Sequence, residues 1–468
     1  MAKGAGTLAV GRYGVAVLGW AGTLVLVRVL SPEAWGEYSL IFSIMGLMGS
    51  FADLKLGRVV IRDLQDAGEH LERTLGSFIT LRLAVGGCAY VAAVVVVWLG
   101  GYPKIVLAAM TVSATVLIVA AAGAAMTVFF NSQMWMRAAA GADVLAQATQ
   151  LVLTVGLAIA GYRDLVLFTL PAVLFELVSL GVLLRTTRSV VRVRPRLDLS
   201  RWRSWLKEAA VLSIGSTLGA IYMEIDTIML SKLGSISAVG VYAVGAKFAT
   251  LAGVISISVS SSLLVAMTRS WPGDPGAVVA AFRRAMLLLF AAGTVVALEF
   301  VAFSVPAIGL LYGRHYVPGS SAATGLVLAE VLTFFSELCF VTLVAMGRNL
   351  PYVFAAAVGV VINVGLNFLL IPRWSYNGAS VATIVTEATV LAILGTALWR
   401  KRDGSGEWLP RRGMAKVCVA GGAMASVAFS LRGRVPWEVA AAIAAGVYLT
   451  VLHVTRVDGP RGLRELAQ

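Results

Sequence analysis

Long apolar stretches, each bounded by charged residues, glycine or proline, follow one another along the whole chain. A bilayer-spanning helix needs about 20 apolar residues, and these stretches have that length, which is too long for the strands of a membrane barrel. Because the hydrocarbon core has no water to satisfy backbone polar groups, each stretch is predicted to be a helix. The pattern predicts fourteen spans: 10–30, 38–62, 76–100, 104–130, 138–161, 164–184, 209–231, 238–265, 283–304, 322–346, 350–371, 378–399, 413–431 and 436–454.

The predicted fold is an all-α polytopic membrane protein with two six-helix lobes related by pseudo-two-fold symmetry and two further C-terminal helices. Six is an even number, so both lobes enter the membrane from the same side, as in parallel repeats. The predicted parts are an N-terminal lobe over 1–184, a basic cytoplasmic linker over 185–208, a C-terminal lobe over 209–400, and the last two helices with a cytoplasmic tail over 401–468.

An internal repeat supports this division. LVRVLSPEAWGEYSLIFSIMGL begins at Leu26, and IMLSKLGSISAVGVYAVGAKFATL begins at Ile228. Each contains the end of a span, a short loop and a Gly-x-Tyr sequence that opens the next span. The two segments register with one gap, at the same point of the two halves.

Charge gives the orientation. The chain is 59% apolar and only 13% charged, with a net charge of +14. Of its 38 Lys and Arg residues, 27 fall in the loops on the side of the N-terminus and 8 on the opposite side. Loops rich in Lys and Arg stay in the cytoplasm, so both termini are predicted to be cytoplasmic in an inner, cytoplasmic membrane. Nucleic acid is unnecessary as an explanation of the positive charge.

The basic linker allows two interpretations. It is a topogenic segment, with Trp202 and Trp205 at the membrane interface, or it is a patch that attracts anionic lipid headgroups or an anionic lipid-linked substrate.

Enzyme signatures are absent from the sequence. Cys88, Cys339 and Cys418 lie far apart in apolar runs, which disfavours a zinc site or a disulfide framework. The nucleotide-binding loop and the metalloprotease and serine-hydrolase motifs do not occur. No catalytic residue is predicted, and we expect a membrane transporter rather than an enzyme.

Ionisable residues inside membrane spans are costly and therefore mark candidate functional sites. Nine acids lie in predicted spans, six of them in the second half with the base Lys247: Asp53, Asp143, Glu176, Glu224, Asp226, Glu299, Glu330, Glu337 and Glu387. An acid-rich lobe that excludes water is suited to hold a cation or to take up protons.

Several polar residues in the second half share helix faces. Asn363 and Asn367 are four apart, as are Thr383 and Glu387, whereas Glu224 and Asp226 lie on different faces. Hard cations need several oxygen ligands, and three such helices could supply them if they meet. Hydrogen bonding between helices without an ion is the alternative.

Three further groups have two interpretations each. Glu330 and Glu337 share one helix face. In one interpretation they line an aqueous cavity or form a proton relay; in the other, one acid is solvated and the other is paired. Asp143, Gln147 and Gln150 line a cavity or pack between helices. The cluster at the end of the second span pairs locally or binds phosphate; it contains Asp53, Lys55, Arg58 and Arg62.

Three motifs resemble the Wzx-like polysaccharide flippases of the multidrug/oligosaccharidyl-lipid/polysaccharide exporter superfamily. The first is VRVLSPEAWGEYSL with FADLKLGRVVIRDL, in which Asp53 and Arg62 match the family and Lys55 replaces the usual glycine. The second is EIDTIMLSKLGSISAVGVYAVGAKF, which contains Asp226. The third and most specific is GRNLPYVFAAAVGVVINVGLNFLLIPRWSYNGASVAT.

The resemblance implies a two-lobed bundle with a cationic central cavity for a lipid-linked oligosaccharide, and a C-terminal helix pair that forms a groove for the lipid tail. By similarity to lipid II flippases, it also implies a sodium site. Its counterparts here are Asp226, Asn363, Asn367, the carbonyl of Ala379, and Thr383. Asn367 stands where those flippases carry a carboxylate, so the alternative coupling ion is a proton on Asp226 or Glu387, with Glu224 as a further candidate.

The resulting hypothesis is an ion-gradient-coupled flippase that moves a polyprenyl-diphosphate-linked glycan precursor to the outer leaflet by alternating access. Lys247, Arg58, Lys55 and Arg28 are the candidates for binding the anionic headgroup. No cofactor is expected besides a monovalent cation such as sodium, or protons. Expected partners are the lipid-linked glycan, membrane lipids and glycan polymerase or glycosyltransferases, and the chain is expected to be a monomer. A multidrug exporter of the same superfamily and a non-transporting scaffold for glycan assembly are the alternatives.

Overall fold

The computed structural model describes residues 2–133, 135–187, 191, 194–400 and 408–455. Helices occupy nearly all of the described chain. Their bounds are α1 Ala2–Val29, α2 Pro32–Asp53, α3 Leu56–Gln65, α4 Leu71–Leu99, α5 Lys104–Ser113, α6 Thr115–Ser132, α7 Met136–Ile159, α8 Leu165–Thr187, α9 Leu199–Leu233, α10 Ile236–Ser270, α11 Pro275–Leu311, α12 Ser320–Ala345, α13 Leu350–Trp399, α14 Arg411–Leu431 and α15 Trp437–Val454.

These helices correspond to the predicted spans. The second predicted span is divided into α2 and α3, which meet at 42°, and the fourth is divided into α5 and α6. Conversely, α13 contains two predicted spans: its 50 residues would extend about 75 Å if straight, more than twice the thickness of the hydrocarbon core. Non-helical backbone at Ser375, with φ 49° and ψ −132°, separates the two halves of α13.

Length and apolar composition identify a multi-pass membrane protein. Among the described residues, ten helices are long and apolar enough to cross a bilayer, or eleven if the bent pair of α2 and α3 is one span. The all-helical prediction is therefore confirmed. A count of fourteen agrees roughly with this number, since α13 alone is long enough for two spans.

The internal repeat has a structural basis at two helix N-termini. The hydroxyl of Ser31 accepts a hydrogen bond from the backbone N–H of Ala34 at the start of α2. The hydroxyl of Ser235 accepts the equivalent bond from Ala238 at the start of α10. In both segments the capping serine precedes the glycine by five positions and the tyrosine by seven. The two motifs therefore begin their helices with the same cap.

The described chain packs into two compact units, unit 1 over Met1–Ser231 and unit 2 over Lys232–Gln468. In unit 1, α7 packs against α1 and α8, and α4 packs against α6. An apolar core of buried side chains, including Phe78, Phe129 and Leu183, joins α3, α4, α6, α8 and the start of α9.

Almost all of α9 belongs to unit 1. Near its end, Ser231 is 2.7 Å from the hydroxyl of Tyr102. The predicted boundary at 208 instead lies within this helix, near its beginning. Units 1 and 2 are defined by packing contacts, whereas the predicted lobes are defined by symmetry. The symmetric lobes therefore stay a prediction.

In unit 2, α12 packs against α10, α11 and α13. A glycine allows one of these close approaches: a Cβ atom at Gly245 of α10 would lie 2.8 Å from the Cα atom of Ala323 in α12. The last two helices pack on each other and against α11, with Val417, Met424 and Tyr448 in a shared apolar core. Tyr448 also donates a hydrogen bond to the carbonyl of Ala291, at 2.9 Å.

Candidate functional site

The junction of α2 and α3 combines an unusual backbone with buried charge. Leu54 and Lys55 both have left-handed backbone, with φ of 45° and 54°. The family resemblance places a glycine at position 55, and glycine adopts this conformation without steric cost. Here a lysine adopts it, and the helix bends nevertheless. For residues with a Cβ atom this conformation costs about 1–2 kcal/mol each, so other contacts must hold the bend.

Arg82 of α4 makes those contacts. Its Nη2 atom is 3.0 Å from Oδ1 of Asp53, and its Nη1 donates to the backbone carbonyl of Asp53 at 3.1 Å. Lys55 Nζ lies 3.2 Å from the other carboxylate oxygen of Asp53. One guanidinium thus binds both the side chain and the last carbonyl of α2, where the helix ends.

The importance of Arg82 was not predicted from the sequence. The structure places it in α4 with a side chain only 5% exposed, and its Nε atom is buried without an acceptor among the described residues. The guanidinium also lies 5.9 Å above the ring of Phe78. Its position seven residues into the predicted span 76–100 was the available signal.

The predicted headgroup-binding residues lie in different surroundings. Lys55 is half-buried and paired with Asp53, as the local-pairing interpretation expects. The side chains of Arg58 and Arg28 are exposed, and Lys247 of α10 is half-buried. Arg62 is exposed as well. Their role in binding phosphate stays a prediction.

The predicted basic linker is in large part an ordered element of unit 1. Its residues from Leu199 onward are the first turns of α9. Asp198 caps this helix, accepting hydrogen bonds from the Ser200 hydroxyl at 2.8 Å and from the backbone N–H of Arg201 at 3.3 Å. These bonds, together with the nearby charges of Arg201 and Arg73, lower the pKa of Asp198 below its usual range.

The two tryptophans of this segment bind α3 and α4. Trp205 is 3% exposed, packs edge-on against Phe78 and donates a hydrogen bond to Asp63 at 2.7 Å. Trp202 donates to the Ser77 hydroxyl at 3.0 Å. Trp205 is therefore buried against Phe78 and Asp63, and the position of both indoles relative to the membrane interface stays a prediction.

Unit 1 contains a second polar group, between α7 and α8. Ser179 donates to Oδ1 of Asp143 at 3.1 Å, and the Gln147 amide donates to Gln150 at 3.0 Å. Glu176 is close enough to Asp143 for their charges to interact. Within the predicted polar stripe, Asp143 thus contacts α8, whereas Gln147 and Gln150 pair within α7; whether the stripe also lines a cavity stays a prediction.

The remaining predicted ion-binding residues of unit 1 lie on α9. Asp226 is buried, and Glu224 is half-buried. A Cβ atom at Gly46 would lie 2.9 Å from Oε1 of Glu224, so α2 approaches this carboxyl closely.

The other predicted ion-binding residues belong to α13 in unit 2. Asn363 and Asn367 are fully buried, and the Asn367 amide donates to Oδ1 of Asn363 at 2.9 Å. The Nδ2 atom of Asn363 has no acceptor among the described residues. Thr383 donates to the carbonyl of Ala379 at 2.9 Å.

The two halves of α13 pack face to face. A Cβ atom at Gly359 would lie 3.5 Å from the methyl group of Thr386 and 3.0 Å from Val390. Asn363 is one turn from Gly359, and Thr383 is one turn from Thr386, so the packing brings the amide pair and the threonine to similar depths along the hairpin.

Three carboxyls of unit 2 influence one another. Glu387 is buried in α13, and its charge acts on both Glu330 and Glu337 of α12. Glu330 also faces α10, where a Cβ atom at Gly253 would lie 2.5 Å from its Oε1 atom. No three His, Cys, Asp or Glu side chains of the described residues converge as a metal site.

An apolar cavity of about 400 Å³ lies between α11, α12 and α14. Its wall includes Phe290, Leu298, Val331 and Phe335, with Gly421 of α14 on the opposite side. Of the two C-terminal helices, α14 thus contributes to an apolar surface of unit 2.

Comparisons with known proteins agree with this architecture. The chain matches the family model described as polysaccharide biosynthesis protein over residues 25–321, more than half of its length. No curated protein sequence matches it.

Among solved structures, the fold is similar to that of the lipid II flippase MurJ in an inward closed conformation. The TM-score is 0.75 at 13% identity, covering 98% of this chain and 99% of MurJ. A multidrug resistance MATE family transporter of the MOP superfamily matches in its inward-facing conformation, with a TM-score of 0.68 at 15% identity over 84% of this chain and 96% of that one. Its outward-facing conformation gives a TM-score of 0.59 at 14% identity over 86% and 96%. This membrane chain therefore belongs to the family of polysaccharide biosynthesis proteins, on a fold that it shares with a lipid II flippase and with MATE transporters.

Proposed function

We propose that this protein is a flippase that moves a polyprenyl-diphosphate-linked glycan precursor from the cytoplasmic to the outer leaflet of the cytoplasmic membrane. Both termini lie in the cytoplasm, in keeping with the distribution of Lys and Arg. The chain acts as a transporter and not as an enzyme, by alternating access driven by an ion gradient. The family match to polysaccharide biosynthesis proteins supports a glycan as cargo.

The observation that carries the proposal is the extent of the shared fold. The match to the lipid II flippase covers 98% of this chain, whereas the matches to the drug transporters cover 84% and 86%. The first match must therefore include most of α14 and α15. Together with α11 and α12, α14 surrounds the apolar cavity lined by Phe290 and Gly421, which suits the polyprenyl tail of a lipid-linked substrate.

Positive residues bind the headgroup in this proposal. Lys247 is half-buried on α10, and a cation held away from bulk water suits a diphosphate. Arg58, Lys55 and Arg28 are further candidates. We add Arg82, whose buried guanidinium retains an Nε donor without an acceptor among the described residues.

The coupling ion binds among the acids and amides inside the membrane. In unit 2, Asn363, Asn367, Thr383 and the carbonyl of Ala379 offer oxygen ligands for sodium, and Glu387 with its two acidic neighbours offers protonatable groups. Glu224 and Asp226 of α9 are the candidates from unit 1. The flipping assay described next distinguishes sodium from protons as the coupling ion.

Flipping in proteoliposomes tests the proposal. The purified chain is reconstituted with a fluorescent polyprenyl-diphosphate oligosaccharide, and a membrane-impermeant reductant then reports how much label reaches the outer leaflet. We expect protein-dependent flipping that responds to a sodium or proton gradient. Asp226→Asn should remove this response while leaving the protein folded, and Lys247→Ala should weaken headgroup binding.

The alternative functions give different results. A drug exporter would transport a fluorescent cationic drug and leave the lipid-linked glycan in place. A scaffold would show neither activity, and its depletion from cells would not cause lipid-linked precursor to accumulate. Unchanged ion-dependent flipping in the Asp226→Asn variant would exclude this residue from coupling without excluding the flippase.

A further inference from the structure

A second apolar cavity, of about 430 Å³, lies in unit 2 beside the end of α13. We call it the α13 cavity. Its wall includes Phe282 and Met286 of α11, Leu391 and Trp399 of α13, and Trp408, which precedes α14. This volume is in the range of about 300–1,000 Å³ that is typical of ligand pockets. The cavity is separate from the groove between α11, α12 and α14.

One polar group is buried in the wall of the α13 cavity. Trp408 is 5% exposed, and its ring packs edge-on against Phe282 at 5.3 Å between centroids. Its Nε1 atom is buried and has no acceptor among the described residues. A buried indole N–H normally finds a hydrogen-bond partner, so the cavity offers one donor to a ligand that is otherwise apolar.

Four arginines lie next to lining residues of the α13 cavity in the chain. Arg283 follows Phe282 in the chain, Arg400 follows Trp399, and Arg411 and Arg412 begin α14 two residues beyond the lining residue Leu409. All four side chains are exposed. None of them forms a salt bridge within the described part of the chain. Among the described residues, the ends of the elements that line this cavity therefore have a positive charge.

We propose that the α13 cavity binds an anionic glycerophospholipid of the bilayer as a resident ligand. One acyl chain fills the apolar cavity, an ester carbonyl accepts the hydrogen bond of Trp408 Nε1, and the phosphate lies among the arginines. Clusters of Arg at the end of a membrane helix attract anionic headgroups. Residues 401–407, KRDGSGE, contain no apolar side chain, so this neighbouring segment of the chain has the wrong composition to fill the cavity.

Quenching of Trp408 by brominated lipids tests this proposal. The full chain is placed in nanodiscs that contain a small fraction of phosphatidylglycerol or phosphatidylcholine with brominated acyl chains. The chain has 11 tryptophans, so the Trp408 signal is the difference between the wild type and Trp408→Phe. We expect brominated phosphatidylglycerol to quench this difference signal at a much lower mole fraction than brominated phosphatidylcholine does.

Two sets of variants test the apolar cavity and the arginines separately. Gly395 lines the cavity, and a Cβ atom there would meet no other atom within 4 Å. Gly395→Leu should therefore fill the cavity and abolish the preferential quenching. Gly365→Leu is the matched control, because Gly365 is equally open but lies in the first half of α13, outside the cavity. Changing Arg400, Arg411 and Arg412 together to Gln should weaken the preference for phosphatidylglycerol on the order of a hundredfold.

Several outcomes would overturn the assignment. Equal quenching by the two brominated lipids would show that the cavity does not select an anionic headgroup. Displacement of the brominated lipid by polyprenyl diphosphate, but not by excess phosphatidylglycerol, would assign the cavity to the carrier lipid of the substrate. If Gly395→Leu fails to fold, the comparison of the two lipids in the wild type and in the arginine variant still decides.

Discussion

Arg82 and Asp53 form an ion pair across 29 positions of the chain, with 3.0 Å between Nη2 and Oδ1. The same guanidinium donates to the backbone carbonyl of Asp53, where α2 ends. A single side chain of α4 thus neutralises a carboxylate and satisfies a helix C-terminus. The bend at Leu54 and Lys55 depends on this anchor, because left-handed backbone is unfavourable at both residues.

Loss of this anchor should destabilise unit 1. Arg82→Gln leaves the Asp53 carboxylate with Lys55 alone, and we expect a loss of about 2 kcal/mol in the free energy of unfolding. This is less than is typical of a fully buried pair, because Asp53 is partly exposed. Thermal unfolding in detergent measures the change. Arg58→Gln, at an exposed position, is the control and should change the stability of the protein little. Equal melting of Arg82→Gln and wild type would contradict the anchoring role.

Glycine at position 55 should relieve backbone strain. Lys55→Gly removes the ion pair with Asp53 and the steric cost of φ 54°, whereas Lys55→Ala removes only the ion pair. We therefore expect the Gly variant to be more stable than the Ala variant by about 1 kcal/mol. Denaturant unfolding of the two variants measures the difference directly. If the Ala variant is as stable as the Gly variant, position 55 does not hold a left-handed conformation.

The start of α9 should loosen when its indole loses its acceptor. Trp205→Phe preserves the apolar ring beside Phe78 but removes the hydrogen bond to Asp63. A bond to a charged acceptor contributes about 1.5–3 kcal/mol. We expect faster tryptic cleavage after Arg201 and Arg203 in this variant. Asp63→Asn keeps a side-chain oxygen as acceptor, so its cleavage rate should lie between those of Trp205→Phe and the wild type. Unchanged cleavage rates in both variants would show that this contact does not hold the segment.

The cap of α9 should depend on pH. Hydrogen bonds from Ser200 and Arg201 lower the pKa of Asp198 in the folded state, so its contribution to stability is complete above the unfolded-state value of about 3.9. The contribution is lost as the pH falls through the lower folded-state pKa. Asp198→Asn should remove this dependence. The measurement is the thermal midpoint of both proteins from pH 6 downward: the gap between them should narrow with acidification, and a constant gap would refute the prediction.

Gly253 and Glu330 should show complementary size effects. A Cβ atom at Gly253 would lie 2.5 Å from Oε1 of Glu330, which is the end of a flexible side chain, so Gly253→Ala should cost about 1 kcal/mol, at the low end of the range for overpacking. Adding Glu330→Ala should recover much of this loss, whereas Glu330→Gln, which keeps the shape, should not. The free energies of unfolding of the single and double variants, combined in a double-mutant cycle, measure this coupling. Recovery with Gln would mean that charge, and not size, governs the contact.

The helices and their number follow from local properties of the sequence. Apolar runs of bilayer length leave the helix as the only backbone that satisfies its own polar groups, and all fourteen predicted spans lie on helices. The repeat around Ser31 and Ser235 was visible as well, because a helix cap depends on residues only three apart. Motifs such as VINVGLN further indicated the family.

Partners distant in the chain were decided by tertiary structure. The sequence marks Asp53 as costly in a membrane span, but only the packing of α2 against α4 selects Arg82 as its partner. In the same way, nothing near Trp205 indicates that it would be buried against Phe78 and Asp63. The α13 cavity combines residues from 282 to 409. Periodicity and composition describe a helix by itself, whereas the choice among many chemically suitable partners depends on how close the folded helices approach one another.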